Sequence, residues 1–349
     1  MKHLLLLCLG FMCLSTVAQD TVKVKTVLTP EQEADLAYND GLELITKKDY
    51  STAVSQFSKA ISFKPNFERA FYNRAVARHE LRQFEESIQD YNHTLLVNPT
   101  NMEALFGKAE NFYQLKKKDS CLTFIYKTIQ RDSLFSKAFY LLGQLKFDEA
   151  EYKEAILHYN KAISTKADYA YAYNDRASAK KLLGDDSGAI QDYEKAIALD
   201  PKLFFAYNNL GSCKRNKGDH AGAVEAYTKA IDLKPDYFIA LNNRGTVKLN
   251  TGDYLGAMLD FEEALRQKSN YPLALNNLAS VFIKKQDFKS ALDWSNKALN
   301  ADVNLGAAYL NRGIAKQMLR DEEGACVDWK KASELGIPEG KRYHSSYCN

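Results

Sequence analysis

The sequence predicts an all-α protein, an α-solenoid of stacked helical hairpins, and three observations lead to this prediction. First, a 34-residue pattern recurs from Ala34 without insertion, so that nine consecutive windows fill residues 34–339. Second, each window holds two runs of helical apolar periodicity separated by a short turn, which is Gly-Asp or Lys-Asp in four windows. This is the pattern of a helical hairpin. Third, small residues stand at fixed offsets in both runs. Repeats of this kind stack on their neighbours and need no second core.

The fixed small positions indicate how the two helices of each hairpin pack. Position 8 of the window is Gly or Ala in all nine windows, and positions 20 and 27 are each Ala in seven. Such residues let two helix backbones approach closely. An aromatic residue at position 24 in seven windows fills the space beside them. Pro at position 32 in four windows ends the second helix.

Residues 1–18 have the features of a cleavable secretory signal. Lys2 precedes an eleven-residue apolar run, and Thr16 and Ala18 fit the –3 and –1 positions of a cleavage site. The apolar run is too short to span about 30 Å of hydrocarbon, and no later segment is long and apolar enough. We therefore expect cleavage near Ala18, no integral membrane segment in the mature chain, and an exported protein, either periplasmic or secreted.

The segments that flank the windows are short. Residues 19–33 are expected to form an arm that leads into the first helix. Thr29 can cap that helix, Pro30 suits its first position, and Gln32 completes a capping box. At the other end, residues 340–349 are expected to form a C-terminal cap or tail.

The repeating pattern resembles the tetratricopeptide repeat, whose length and whose small and aromatic positions coincide with those of the windows. The resemblance covers 306 of the 349 residues. It implies a right-handed superhelix in which the first helix of each repeat lines the concave face, and it implies no reaction. The nine repeats so defined are 34–67, 68–101, 102–135, 136–169, 170–203, 204–237, 238–271, 272–305 and 306–339.

Repeat three, residues 102–135, departs from this pattern. Three lysines at 116–118 stand where the turn is expected, and Cys121 and Ile125 replace the usual Ala and aromatic residue. We therefore expect repeat three to be a weak joint in the array.

Two other positions of the window vary together. Position 7 is Arg and position 23 is Asp in the same four repeats. These positions lie level in an antiparallel hairpin, so we predict internal ion pairs rather than an anion site. In repeat six, Leu210 and Ala226 are expected to replace the pair by apolar contact. The four predicted pairs are Arg74–Asp90, Arg176–Asp192, Arg244–Asp260 and Arg312–Asp328.

A recurring Asn at position 6 marks the candidate binding surface, because Asn is a poor residue for the interior of a helix. Two interpretations stay open. These side chains could bond the neighbouring repeat, or they could resemble the asparagine ladder that binds a peptide backbone in superhelices of the tetratricopeptide family. A carboxamide suits the second role because it offers a peptide amide both a donor and an acceptor. Gly107 and Leu141 interrupt the ladder, so we expect repeats five to nine to hold the main groove.

The candidate peptide-binding residues come from four positions of the first helix. Small hydroxyl groups at position 9 stand beside the ladder, and cations at position 12 could attract acidic groups. Position 2 offers an apolar strip (Tyr171, Phe205, Ile239 and Leu273), for which packing between repeats is the alternative. No repeat has Lys at position 5, so the family's clamp for a free C-terminal carboxylate is not expected. The candidates are Asp175, Asn209, Asn243, Asn277 and Asn311 at position 6, Asn208 and Asn242 at position 5, Ser212 and Thr246 at position 9, and Lys181 and Arg215 at position 12.

Four cysteines remain after signal cleavage. Cys326 and Cys348 stand equally far from Ile337, where a turn is expected. If 338–348 folds back as a short capping helix, the two sulfurs lie level, and a disulfide suits an exported protein. The alternative is two free thiols. Cys121 and Cys213 are expected to be small buried thiols.

The remaining patterns limit the function. The six histidines show no metal-ligand spacing, and no nucleophile elbow or phosphate loop occurs. A formal net charge of +3 without a basic stripe does not indicate nucleic acid. We therefore expect no catalytic residue, no metal and no cofactor. The leading hypothesis is an exported, non-catalytic scaffold that binds a peptide or protein in its groove. The alternatives are a carbohydrate or cell-wall binding module and a structural assembly subunit.

Overall fold

The computed structural model describes residues 28–348, and this part of the chain contains nineteen α-helices in consecutive helix–turn–helix pairs. It contains no β-strand within those residues. The predicted all-α solenoid is thus confirmed. The predicted signal peptide and residues 19–27 of the arm lie outside the described residues. The predicted capping box is present, since the Thr29 side chain accepts from the Gln32 backbone and the Gln32 side chain accepts from the Thr29 backbone.

The chain divides into two compact units between Gly107 and Lys108, within repeat three, the repeat that the sequence marks as a weak joint. The first unit holds four helices and the start of a fifth: α1 (Pro30–Thr46), α2 (Tyr50–Phe63), α3 (Glu68–Glu80), α4 (Phe84–Val97) and α5 (Met102–Gln114). The second unit holds the end of α5 and then α6 (Lys118–Arg131), α7 (Ser136–Asp148), α8 (Tyr152–Thr165), α9 (Ala170–Leu182), α10 (Asp186–Leu199), α11 (Phe204–Asn216), α12 (His220–Leu233), α13 (Phe238–Asn250), α14 (Tyr254–Gln267), α15 (Pro272–Lys284), α16 (Phe288–Ala301), α17 (Gly306–Met318), α18 (Glu322–Glu334) and α19 (Pro338–Tyr347).

Each hairpin turns through a residue in the left-handed region at position 15. Gly184, Gly218 and Gly252 supply this conformation with φ between 81° and 88°, and glycine adopts it without steric strain. The other windows place Lys, Arg, Ala or Gln there with φ between 57° and 70°. The Lys-rich turn of repeat three therefore has the same backbone conformation as the glycine turns. Asp219, which follows Gly218, accepts from the Gly222 backbone and caps α12.

The small and aromatic positions form the core between the two helices of each pair. Tyr227 is fully buried and packs on Gly211, where an added Cβ would lie 2.9 Å from Cε1 of the ring. Ala223 and Ala230, at positions 20 and 27 of the same repeat, are also fully buried. The predicted close approach of the two helix backbones is therefore present in this hairpin.

All four predicted ion pairs are present. In repeat seven, Arg244 donates to the two Asp260 oxygens at 2.7 and 3.0 Å, and Lys248 Nζ lies 2.9 Å from the same carboxylate. Arg244 also donates to Thr228 Oγ1 of repeat six at 2.9 Å. Each network therefore links two repeats as well as two helices. The other carboxylates and their two cations are Asp90 with Arg74 and Arg78, Asp192 with Arg176 and Lys180, and Asp328 with Arg312 and Lys316.

Repeat six lacks this pair and leaves a space in its place. Leu210 and Ala226 are each 6% exposed and belong to one apolar cluster. They also line a cavity of about 180 Å³ together with Tyr207, Lys214 and Lys229. Apolar contact thus replaces the ion pair only in part, because Leu210 and Ala226 are shorter than Arg and Asp and do not fill the volume that the ion pair occupies in other repeats.

Repeat three replaces the pair by a buried lysine over an aromatic ring. Lys108 stands at position 7, is 8% exposed, and holds its Nζ 3.8 Å from the centroid of Phe124, which stands at position 23. Burial, together with repulsion from Lys127, lowers the pKa of Lys108 to about 8.

This pKa predicts a rise in stability with pH. Between about pH 8 and the ordinary lysine pKa of 10.5, the unfolded chain binds a proton that the folded chain lacks. The free energy of unfolding should therefore increase by roughly 2 kcal/mol between pH 7 and pH 9.5 on account of this group. Urea unfolding of wild type and Lys108→Met at the two pH values measures the difference. Lys127→Met should give a smaller rise that begins at higher pH, because the pKa of Lys108 in the folded chain then lies closer to its ordinary value. Equal pH dependence in wild type and Lys108→Met would contradict the assignment.

Candidate functional site

The candidate surface lies on the first helices of repeats five to nine, which are α9, α11, α13, α15 and α17. Each of these helices contacts the next one in the series, within the second unit. Positions 2, 6 and 9 of a helix lie on one face because they are separated by three or four residues. Side chains at these positions therefore form a continuous surface across the five helices.

Three asparagines of the ladder bind the preceding repeat. In repeats seven to nine, the position-6 Asn donates from Nδ2 to the Oδ1 atom of the position-5 Asn one repeat earlier. Asn209 forms no such bond, since the Oδ1 atom of Asn174 has no hydrogen-bond partner. The structure thus contains the inter-repeat bonds that the first interpretation predicts. The three bonds are Asn243 to Asn208 at 3.0 Å, Asn277 to Asn242 at 3.0 Å, and Asn311 to Asn276 at 2.8 Å.

The same asparagines keep their acceptors free. The Oδ1 atoms of Asn243, Asn277 and Asn311 accept no hydrogen bond from any residue in 28–348, and none of these atoms is fully buried. The inter-repeat bonds fix the orientation of each carboxamide, so the three oxygens are held in place. They form a row of acceptors that suits the N–H groups of an extended peptide.

Both position-5 candidates serve the interface between repeats. Asn208 and Asn242 are 6% and 5% exposed, and their Oδ1 atoms accept from the next repeat. Asn208 also donates to Asn209 Oδ1 at 3.3 Å. The acceptor of Asn209 is therefore already used, unlike those of the later ladder residues.

The hydroxyl and cationic candidates lie beside the ladder. Lys181 Nζ donates to Ser212 Oγ at 2.9 Å, which links repeats five and six. Thr246 donates to the Asn242 carbonyl at 2.8 Å and accepts from Asn277 at 3.3 Å. Arg215 is partly buried and forms no ion pair with another described residue. These groups support the ladder, and Arg215 is left with a free positive charge.

Asp175 takes the place of Asn at the first position of this ladder. It accepts from the Tyr140 hydroxyl at 2.6 Å and from Asn174 Nδ2 at 2.9 Å. Burial raises the pKa of Asp175, and these two hydrogen bonds oppose the rise. The N-terminal end of the ladder thus carries a partly buried carboxyl group held by neutral donors.

The predicted apolar strip is exposed on the same face. Tyr171, Ile239 and Leu273 are 49%, 36% and 46% exposed. Phe205 is partly buried, and its ring centroid lies 6.0 Å from that of Tyr171. Position 2 is four residues before position 6, so the strip runs beside the ladder. Exposed apolar side chains in a row are typical of a surface that binds another chain.

Cys326 and Cys348 form a disulfide, with their Cα atoms 5.7 Å apart. The disulfide holds α19 against α18, and Trp329 of α18 stacks on Tyr343 of α19 at 5.1 Å. Cys121 and Cys213 are buried free thiols. Within residues 28–348, no group of three or more His, Cys, Asp or Glu side chains is placed to bind a metal ion, and no helix has the length and apolarity to cross a membrane.

Two cavities were not predicted from the sequence. They have volumes of about 420 and 180 Å³, and Tyr113 and Asp148 line both. The smaller one reaches Asp175. Asp175 stands at position 6, where later repeats have Asn, and this change was the one signal in the sequence that could have indicated the smaller cavity.

Comparison with known protein families identifies several of the repeats. Models of the tetratricopeptide repeat match residues 136–169, 178–212, 204–237 and 242–305. The chain contains tetratricopeptide repeats. Two of the matched segments, 136–169 and 204–237, coincide with windows four and six of the sequence pattern.

The curated relatives share only part of their length with these repeats. The mitochondrial import receptor subunit TOM70 of Rattus norvegicus is 33% identical over 94 residues, which are 26% of this chain and 15% of the relative. The small glutamine-rich tetratricopeptide repeat-containing protein 2 of Mycosarcoma maydis is 33% identical over 150 residues, 43% of this chain and 33% of the relative. The chain thus spans at most a third of either protein.

Solved structures show the same fold. A tetratricopeptide repeat protein from Parabacteroides merdae aligns with a TM-score of 0.56 and 18% identity, over 71% of this chain and 99% of its own. The APC/C hetero-tetramer Cut9-Hcn1 aligns with a TM-score of 0.59 and 14% identity, over 90% of this chain and 76% of its own. At this level of identity the likeness concerns the fold alone.

Proposed function

We propose that the chain is an exported, non-catalytic scaffold that binds an extended peptide segment of a protein partner along the first helices of repeats five to nine. The observation that carries the proposal is the row of free Oδ1 acceptors at Asn243, Asn277 and Asn311. The exposed strip of Tyr171, Ile239 and Leu273 runs beside it. The acceptors bind the peptide backbone whatever its sequence, and the strip takes apolar side chains.

The names of several relatives agree with a role in binding proteins. They include a mitochondrial import receptor subunit and an Hsp70/Hsp90 co-chaperone. One further relative is a protein O-mannosyl-transferase, but the match covers only 15% of that protein. We therefore infer a binding role for these repeats and assign no transfer reaction to them.

Export is supported by two features of the chain. Residues 1–18 have the composition of a cleavable signal. The disulfide between Cys326 and Cys348 is stable in an oxidising compartment and unusual in a reducing cytosol. Cell fractionation followed by N-terminal sequencing tests the proposal, and a mature chain that begins at Gln19 outside the cytoplasm is the expected result. A chain that retains Met1 in the cytoplasm would contradict it.

The ladder can be tested with the triple variant Asn243→Ala, Asn277→Ala and Asn311→Ala, which removes the three free acceptors. A partner is first identified by crosslinking from a photoreactive residue at position 239, and its Kd is then measured by fluorescence anisotropy. Each lost hydrogen bond should cost about 1 kcal/mol or less. We therefore expect the triple variant to weaken binding roughly 10- to 100-fold. Circular dichroism must show that the variant is folded, because Asn208, Asn242 and Asn276 lose donors from the next repeat.

A second variant removes this complication. Ile239→Ser with Leu273→Ser changes only exposed side chains and should weaken binding about tenfold. Its matched control is Leu255→Ser with Leu259→Ser. Both leucines are more than half exposed, but they lie on α14, the second helix of repeat seven, and not on the proposed surface. If the ladder variant and the strip variant both bind the partner as wild type does, the proposed surface is wrong.

A further inference from the structure

The two cavities beside Tyr113 and Asp148 lie at the N-terminal end of the ladder. The smaller one occupies about 180 Å³ between α7, α9 and the end of α5. Most of its lining comes from positions 6, 9 and 12 of repeats three to five, the positions that carry the ladder, hydroxyl groups and cations farther along. It therefore belongs to the same face of the first helices. Its lining residues are Tyr113, Gln144, Phe147, Asp148, Tyr159, Asp175 and Ser178.

Two carboxyl groups in this cavity have no cationic partner among the described residues. Asp148 accepts from the Tyr113 hydroxyl at 2.7 Å, and Asp175 accepts from Tyr140 and Asn174. All of these donors are neutral. The hydrogen bonds hold the carboxyl groups in place but leave their negative charge uncompensated.

The rest of the second unit neutralises its buried carboxylates internally. Asp192, Asp260 and Asp328 each contact both an Arg and a Lys. Asp175 lacks such a contact, and its pKa is raised because burial disfavours the charged form. A cation supplied from outside would offset that desolvation.

The walls of the cavity favour an organic cation. The rings of Tyr113, Phe147 and Tyr159 line it, and aromatic rings attract ammonium and guanidinium groups. Its volume of 180 Å³ holds about six water molecules, close to the size of a long basic side chain. Among the described residues, no group of three or more His, Cys, Asp or Glu side chains is placed to bind a metal ion.

The larger cavity adds no uncompensated negative charge. Glu149 on its wall pairs with Lys118 and with Lys146. Lys116 is exposed, and its Nζ lies 5.4 Å from the centroid of Tyr113. Among the residues that line the two cavities, Asp148 and Asp175 therefore remain the carboxyl groups without an ion pair.

We propose that the smaller cavity receives a lysine or arginine side chain of the bound peptide, with its cation between Asp148 and Asp175 and its methylene groups against the aromatic rings. This proposal rests on the proposed function, because the ladder would bind the backbone of the same peptide. The ladder accepts any sequence, so the cavity supplies the specificity and sets the register of the peptide.

Four labelled peptides test the proposal. Each is a nine-residue chain of Ala, Ser and Gly with a central Arg, Lys, citrulline or norleucine, and its binding to the purified protein is measured by fluorescence anisotropy. We expect the Arg and Lys peptides to bind at least tenfold more tightly than the other two. Asp175→Asn should remove this difference, because it keeps the shape of the side chain and removes the charge. Asp148→Asn provides an independent second test.

The controls separate this proposal from the proposed function. Asp119→Asn removes the same charge at an exposed site of the second unit and should leave the difference intact. If the four peptides bind alike, and the triple Asn variant weakens all of them, the groove is correct and the basic-side-chain proposal is overturned. Both Asp variants must be shown to be folded. If Asp175→Asn and Asp148→Asn still prefer the Arg and Lys peptides, the cavity is not the site that binds the basic side chain. Binding by none of the peptides would count against both proposals.

Discussion

Replacing Asp260 by Ala is expected to lower the free energy of unfolding by about 3–5 kcal/mol. Asp260 is 4% exposed and contacts Arg244 and Lys248, whose side chains are 18% and 21% exposed. Its loss leaves two largely buried cations without a carboxylate between them. Since Arg244 also donates to Thr228 of repeat six, we expect the contact between repeats six and seven to loosen. Urea unfolding followed by far-ultraviolet circular dichroism measures the change.

Repeat six provides the matched control for this experiment. The double variant Arg244→Leu with Asp260→Ala copies the natural pair Leu210 and Ala226. Because it removes the buried Arg together with its partner, we expect it to lose at least about 1 kcal/mol less than the sum of the two single variants. Strict additivity of the two single losses would contradict the pairing.

The ion pairs show which contacts a repeat sequence reveals. Positions 7 and 23 vary together and face each other within one hairpin, so their pairing follows from the geometry of two antiparallel helices. The bond from Arg Nη1 to the preceding repeat was not predicted, since it depends on how neighbouring repeats stack. A signal for it exists: position 25 of the preceding repeat is a small hydroxyl or amide residue in all four cases. These residues are Ser58, Asn160, Thr228 and Asn296.

The asparagine ladder is a second case in which contacts between repeats could not be predicted from the sequence. The sequence reveals a recurring Asn, but not that its donor binds the previous repeat while its acceptor stays free. That division depends on the position of a first helix relative to the next one. The cavity at Asp175 depends on side chains from several helices and on the absence of a neighbouring cation. No periodic pattern within one repeat records such an absence.

Removal of the disulfide by Cys326→Ser with Cys348→Ser is expected to weaken the attachment of α19 by about 3 kcal/mol, the chain-entropy estimate for a loop of this length. The two residues are separated by 22 positions, and α18 is the helix that α19 contacts. We therefore expect local opening of α19 rather than unfolding of the array. Hydrogen exchange of α19 should accelerate on the order of 100-fold, with little change in the earlier helices of the second unit.

Trp329 provides a second measure of the same opening. It is 1% exposed beneath α19 and packs on Tyr343 and Tyr347. Since the chain has two tryptophans, the background Trp294→Phe leaves Trp329 as the reporter, and reduction should shift its emission to longer wavelength. Cys213→Ser is the matched control because the Cys213 thiol is buried and free, so the effect of reductant should persist in that variant.

Two outcomes would show that the disulfide does not hold α19. One is four free thiols in the mature protein without reductant, as measured by alkylation and intact mass. The other is a reduction that changes neither hydrogen exchange of α19 nor Trp329 emission. The expected result would instead show that the last repeat is capped covalently, which protects the end of the apolar core from solvent and from stacking on another chain.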